Sequence, residues 1–249
     1  MIIRAGNAAL LALSLLIAPR PSIAAEVTLL ISNAVKTVME DLAPRFEQAT
    51  GHKLLITYGS TNPLKARIDK GDAFDMTILG ESAVDDLIKA GKLDGASRSV
   101  VARSGMGVAI RKGAPKPDMS TTDAFKRTML AAKSIAYQED GLTGTYLKTL
   151  FARLGIAEAM KPKYRNTRGG EAVAAGEVEY GVMQISEVLY QEGADFAGPL
   201  PPEIQNYTNF PAAVSSNARQ TETAKAVIKY FASRESVALM KKIGLEPPQ

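Results

Sequence analysis

Short apolar runs and longer stripes of apolar residues at helical spacing follow one another along most of the chain. Val27 to Ile31 (VTLLI) is a β-rich apolar run that predicts a buried strand. From Ala34 to Ala49, apolar residues at Val35, Val38, Met39, Leu42 and Phe46 mark one face of a helix, with Gly51 as its stop. Pro44 falls inside that stripe and is expected to kink the helix or end it early. Lys53 to Tyr58 predicts a second strand and Leu64 to Lys70 a second helix. Asp75 to Gly80 predicts a third strand, and Ser82 to Ala90 a third helix closed by Gly91. Strands alternating with helices through short loops imply a parallel α/β sheet.

The alternation continues after Met106 to Arg111 (MGVAIR), a strand ended by Lys112-Gly113-Ala114-Pro115. Helices are expected over Thr122 to Leu130, Tyr146 to Leu154 and Ser186 to Gln191, with a further one opened by Thr167-Arg168-Gly169-Gly170. Strands are expected over Ser134 to Tyr137, Lys163 to Asn166 and Tyr180 to Gln184. Gly198 to Pro211 holds Pro199, Pro201, Pro202 and Pro211 and reads as a connection between lobes, continuing into a strand at Ala212 to Val214. Two amphipathic helices, Thr221 to Phe231 and Glu235 to Ile243, close the pattern.

In open parallel sheets, ligands lie beyond the carboxyl ends of the strands. Two hydroxyl-bearing turns fall there. Ser32-Asn33-Ala34 follows the first strand, and Gly59-Ser60-Thr61 follows the second. Helix N-termini carry unpaired N–H groups and the positive end of the dipole, which suits an anion. The alternative is that Ser60 or Thr61 only caps the helix. If Thr61 instead binds a ligand, Thr61→Val should weaken binding and leave the empty protein's stability nearly unchanged. A third turn of similar make-up, Gly141-Leu142-Thr143-Gly144-Thr145, serves equally well as a plain connection.

Composition narrows the class. The 249 residues are 46% hydrophobic and 22% charged, which gives one large or two moderate globular domains. Net charge is +4, and removal of residues 1–24 takes away Arg4, Arg20 and no acid, leaving +2. That excess is too small and too evenly spread to indicate nucleic acid. Residues 1–24 have the form of a signal peptide: Arg4 as the basic region, Ala8 to Ala18 as the apolar region, and a small-residue cleavage site at Ser22-Ile23-Ala24 or Ala25. A periplasmic protein, monomeric and without a membrane span, is the expectation. With no Cys there is no disulfide, thiol nucleophile or lipid-anchoring cysteine.

Catalytic machinery is sparse. His52 is the single histidine, which leaves any Ser-His or His-metal scheme without partners, and it is read as a surface turn residue. No Gly-x-Ser-x-Gly elbow, P-loop or Gly-x-Gly-x-x-Gly occurs. Glu139 and Asp140 are adjacent and tend to point apart. No enzyme activity, metal or cofactor is expected.

From about Val27 to its C-terminus the chain resembles the periplasmic substrate-binding proteins of molybdate/tungstate ABC transporters. The likeness rests on Phe46…Thr50-Gly51, Gly59-Ser60-Thr61 before Leu64, Asp75-Met76-Thr77-Ile78, Gly141 to Tyr146, Thr167-Arg168-Gly169, Gly181-Val182, and Tyr207 through Phe231 to Gly244-Leu245. It implies the type II periplasmic-binding fold, two α/β lobes each with a mostly parallel sheet, joined by two crossover strands. Lobe 1 would comprise 25–104 and 208–249, and lobe 2 would comprise 105–207. An oxyanion would lie between them, held by hydroxyls and amides, and the bound form would be recognised by a permease and ATPase in the inner membrane. The family's first serine falls at Ala34, with Ser32 two residues earlier and Asn33 between; its second falls at Thr61, beside Ser60. Its amide donors fall at Thr143 and Thr167, and its cleft tyrosine at Gln184. Arg168 is expected to point away from the cleft. The implied ligand is molybdate or tungstate; the alternatives are another small anion (sulfate, phosphate or an organic acid) on the same fold, or an exported sensor not coupled to transport.

Overall fold

The structure, a computed structural model, describes residues 24–247, so residues 1–23 of the proposed signal peptide lie outside the described residues. Among the described residues, ten strands form two five-stranded sheets. The first sheet contains β1 (Glu26–Ser32), β2 (Lys53–Gly59), β3 (Met76–Ile78) and β4 (Ser99–Ser104). The chain then passes through Gly105 into the second sheet, which holds β5 (Met106–Arg111), β6 (Ile135–Tyr137), β7 (Tyr164–Asn166), β8 (Tyr180–Gln184) and β9 (Ala194–Pro199). It returns to the first sheet as β10 (Thr208–Val214). The orders are β2-β1-β3-β10-β4 and β7-β6-β8-β5-β9.

Both sheets are mixed. In the first, β2, β1 and β3 are parallel while β10 runs antiparallel to β3 and β4. In the second, β7, β6 and β8 are parallel while β5 is antiparallel to β8 and β9. The antiparallel half of each sheet is made by the strands through which the chain enters or leaves. Two of these, β4 and β9, were not foreseen: β4 (SVVARS) and β9 (ADFAGP) carry polar or small residues where a buried strand would show an apolar run.

Helices cover both faces of each sheet. The first sheet is flanked by α1 (Lys36–Thr50), α2 (Thr61–Lys70) and α3 (Glu81–Lys89). The second is flanked by α4 (Thr122–Ala131), α5 (Leu142–Arg153), the short α6 (Ala157–Met160), α7 (Gly169–Ala175) and α8 (Ile185–Val188). Finally α9 (Thr221–Phe231) and α10 (Arg234–Lys242) return to the first sheet. Side-chain alternation along β1 explains why its run is apolar on both faces. Val27, Leu29 and Ile31 pack with α1, α9 and α10, whereas Leu30 packs with Leu64 and Ile68 of α2 and Val84 and Leu87 of α3. Each such fully buried Leu or Ile contributes about 1.5–3 kcal/mol relative to exposure.

Several local expectations need correction. Helix α1 runs through Pro44 to Thr50 without stopping there; Gly51, at φ 75°, ends it in the left-handed conformation that glycine adopts freely. Flanking turns buried against the sheet hold the helix on both sides of the lost hydrogen bond. Helices α2 and α5 begin three and four residues earlier than the apolar stripe indicated, so their first turns include the hydroxyl-bearing residues of the preceding loops. His52 is not a free surface residue: its Nδ1 accepts the Ala25 N–H at 3.1 Å and its ring stacks on Phe46. Asp75 is buried and structural, accepting the backbone N–H groups of Thr28, Arg219 and Gln220 at 2.8–3.0 Å. It ties the start of α9 to the sheet.

Candidate functional site

The carboxyl ends of β1 and β2 face those of β6 and β8 across a cleft, and a cavity of about 290 Å³ lies between them. Its first wall comes from the sheet containing β1. Ser32 ends β1 and its Oγ accepts the Ala34 N–H at 3.3 Å, closing a single turn of 3-10 helix before α1. Ser60 ends the β2 loop at the N-cap of α2, yet its side chain makes no cap bond. Its Oγ instead donates across the cleft to Gln138 Oε1 at 2.9 Å. Thr61 is almost fully buried, and its Oγ1 accepts the Gly80 N–H at 3.1 Å. Thr61 is therefore also structural, so Thr61→Val strands a buried donor and the expectation of unchanged stability does not hold.

The second wall comes from the other sheet. Gln138 and Gly141 to Thr143 follow β6, Arg168 to Glu171 follow β7, and Gln184 and Glu187 follow β8. The start of α7 sits close on the sheet because glycines meet there. A Cβ at Gly181 would lie 2.6 Å from the Gly169 carbonyl, and one at Gly169 would lie 2.8 Å from the Ala136 carbonyl. This close approach brings Arg168 and Glu171 to the cavity. Gln184 is buried; its Nε2 donates to Thr208 Oγ1 at 3.5 Å and its Oε1 has no partner. Glu187 is partly buried and accepts the Gln184 N–H at 3.3 Å. Burial pushes its carboxyl up to about 7, although that N–H and the Arg168 charge act in the opposite direction.

Of the predicted ligand residues, the structure brings Ser32, Asn33, Ala34, Ser60, Thr61, Thr143 and Gln184 to the one cavity. Thr167 lies outside it: the residue is exposed and its N–H donates to the Arg165 carbonyl at 3.1 Å. The next residue takes its place. Arg168 lines the cavity, contrary to the expectation that it points away, and pairs with Glu171 at 2.8 Å. Lys36 and Glu40 line it from α1, 3.6 Å apart. Sequence reasoning missed Gln138, Lys36 and Glu187. A signal for Glu187 existed, since Gln184-Ile185-Ser186-Glu187 puts a carboxylate in the first helical turn after a strand end.

The lobes are in contact around this cavity. Ser186 Oγ donates to the Ala34 carbonyl at 2.7 Å, both groups being buried, and Leu142 of α5 packs over Gly80. Donors from both sheets line the cavity, and these contacts join its two walls.

Comparison with known proteins gives the family. Residues 27–246 match the family model described as bacterial extracellular solute-binding protein. An aconitate isomerase of a Pseudomonas species is 34% identical over 247 residues, covering 94% of each chain. The molybdate-binding protein of Azotobacter vinelandii is 24% identical, with 89% of this chain and 90% of that protein covered. A solved structure of a periplasmic molybdate-binding protein from Azotobacter vinelandii superposes with a TM-score of 0.72 at 20% identity, over 90% of this chain and 100% of that one. The sulfate-binding protein SubI of Mycobacterium tuberculosis gives a TM-score of 0.73 at 16% identity, over 90% and 87%. The chain belongs to the bacterial extracellular solute-binding protein family and has the two-lobed α/β fold of its molybdate-binding members.

Proposed function

We propose that this member of the solute-binding family is an exported, periplasmic binding protein for a small polycarboxylate, held between its lobes and presented to an ABC importer. The observation that carries this reading is the cavity itself. At about 290 Å³ it approaches the lower end of the ~300–1,000 Å³ that organic ligands occupy. A four-oxygen anion displaces only about four waters, ~120 Å³. Arg168 and Lys36 give it two cations, whereas a site for a lone tetrahedral oxyanion is built well enough from neutral hydroxyls and amides. Both cations are paired with carboxylates, but the pairs are solvent-exposed and weak, so each cation can turn to a ligand. Arg168 in particular offers a planar fork that matches a carboxylate.

The contacts we assign are Ser32, Ser60, Thr61 and the backbone about Ala34 on one wall, with Thr143, Arg168 and Gln184 on the other. Ala34 in place of a serine and Gln184 in place of a tyrosine widen the space between the walls. The similarity to a protein that acts on aconitate, a small unsaturated tricarboxylate, supports the same ligand class. Closure of the lobes around the ligand would create the form that a permease recognises.

A thermal-shift panel on the ligand-stripped protein tests this, with cis-aconitate, trans-aconitate, citrate, molybdate, tungstate, sulfate and phosphate. Ligand at 100 times its Kd stabilises by about 2.7 kcal/mol. For a chain of this size that is a shift of roughly 5–10 °C. The shift is expected with tricarboxylates. A shift with molybdate and tungstate alone would replace this reading by the oxyanion one, which the hydroxyl-lined wall favours.

A further inference from the structure

Glu187 stands apart from the other carboxylates of the cavity. Glu40 pairs with Lys36 and Glu171 with Arg168, but among the described residues Glu187 has no cationic partner within ion-pair distance. Only the Gln184 N–H reaches it, from the backbone and at a long 3.3 Å. That bond caps the start of α8, a task that an uncharged amide side chain performs equally well, so a carboxylate that works against anion binding in this cleft points to a further task. Beside it Gln184 Oε1 is a buried acceptor without a partner, from a side chain only 4% exposed. Two neighbouring acceptors with spare capacity on one wall do not serve a fully ionised ligand. They suit a ligand that gives up a proton there.

We propose that Glu187 is a general base and acid, and that the cleft catalyses allylic proton transfer on a bound unsaturated carboxylate. This rests on the polycarboxylate reading of the same cavity. The step requires a methylene group between a carboxylate and a carbon–carbon double bond. The Glu187 carboxylate takes one methylene proton. The C–H bond breaks, and its electron pair spreads over the three allylic carbons and the attached carboxylate. Glu187, now protonated, returns that proton to the far allylic carbon. The double bond moves by one position, the product is a geometric isomer of the substrate, and the protein is restored. No oxidant, reductant or further reactant enters. Arg168, Lys36 and the amides of the facing turns supply the positive field for the charge that develops on the substrate.

The electrostatics of Glu187 fit that task. Burial raises its carboxyl to about 7, so that near neutral pH it is available both to accept and to donate. The other charged groups lining the cavity are Lys36, Glu40, Arg168 and Glu171, two of each sign.

The experiment uses the intact mature protein with cis-aconitate and trans-aconitate in D2O. Proton NMR follows both conversion between the isomers and deuterium incorporation at carbon, and calorimetry follows binding. The wild type is expected to bind and to catalyse both processes. Glu187→Gln should bind within a few-fold of the wild type and lose roughly 10²–10⁴-fold in rate. In the wild type kcat/KM should rise with pH to a plateau, with its midpoint near 7, as the base ionises. Binding without conversion or exchange would overturn the inference and leave the ligand reading standing. No binding of either isomer would overturn both. Undiminished exchange in a folded Glu187→Gln, or a flat pH profile, would remove the role from Glu187.

Discussion

The two walls of the cavity are built from the same kind of element, a turn between a strand and a helix, yet they are finished differently. The turns that follow β1 and β2 are neutral, and their hydroxyls are already engaged: Ser32 within its own turn, Ser60 with Gln138, and Thr61 with Gly80; the charge on that side is the Lys36–Glu40 pair of α1. The wall that follows β6, β7 and β8 carries Arg168, Glu171 and Glu187, and Gln184 keeps an acceptor free. Pre-bonded neutral turns offer fixed dipoles and cost little to reorganise around any anion. A wall with free acceptors and weakly paired charge distinguishes one ligand from another. The comparison therefore assigns general anion affinity to the first wall, and ligand choice and chemistry to the second.

That division predicts three unequal responses. The largest is at Arg168: Arg168→Met should lower tricarboxylate affinity by roughly 10–100-fold, the loss expected for a hydrogen bond to a charged group. Calorimetry should show it without a comparable fall in the melting temperature of the empty protein, because the side chain is half exposed. Equal losses for molybdate and for aconitate would erase the distinction between the walls.

Next comes Thr61→Val on the first wall, which is expected to act mainly on stability. It leaves the buried Gly80 N–H unpaired, a cost of about 1–3 kcal/mol. The empty protein should melt roughly 2–10 °C lower. An unchanged melting temperature would return Thr61 to a purely ligand-binding role.

The smallest effect belongs to Ser60→Ala. It removes one side-chain hydrogen bond between the lobes, about 0.5–1.5 kcal/mol, and Gln138 can turn to water. Affinity for every anion should fall by the same factor of about 2–10, and scattering should show a more open empty protein. A ligand-dependent loss would mean that Ser60 takes part in selection.

By itself, the sequence determined the elements and the edge on which ligand binds. Alternating apolar runs and helical stripes named most strands and helices because both arise from burial at a fixed period. Hydroxyls placed after β1 and β2 named one wall because strand-to-helix turns in a parallel sheet share an edge. The family resemblance extended that to Thr143 and Gln184. Sequence could not show which side chain of Thr167-Arg168 faces the ligand, for that depends on how closely Gly169 and Gly181 let α7 approach the sheet. Nor could it show that Ser60 reaches Gln138, 78 residues away, or that Glu187 lies in the cavity with no cationic partner among the described residues. Local periodicity specifies an element and its buried face. Partners across a cleft, and the burial that shifts a carboxyl toward neutrality, exist only once the two sheets have been brought together.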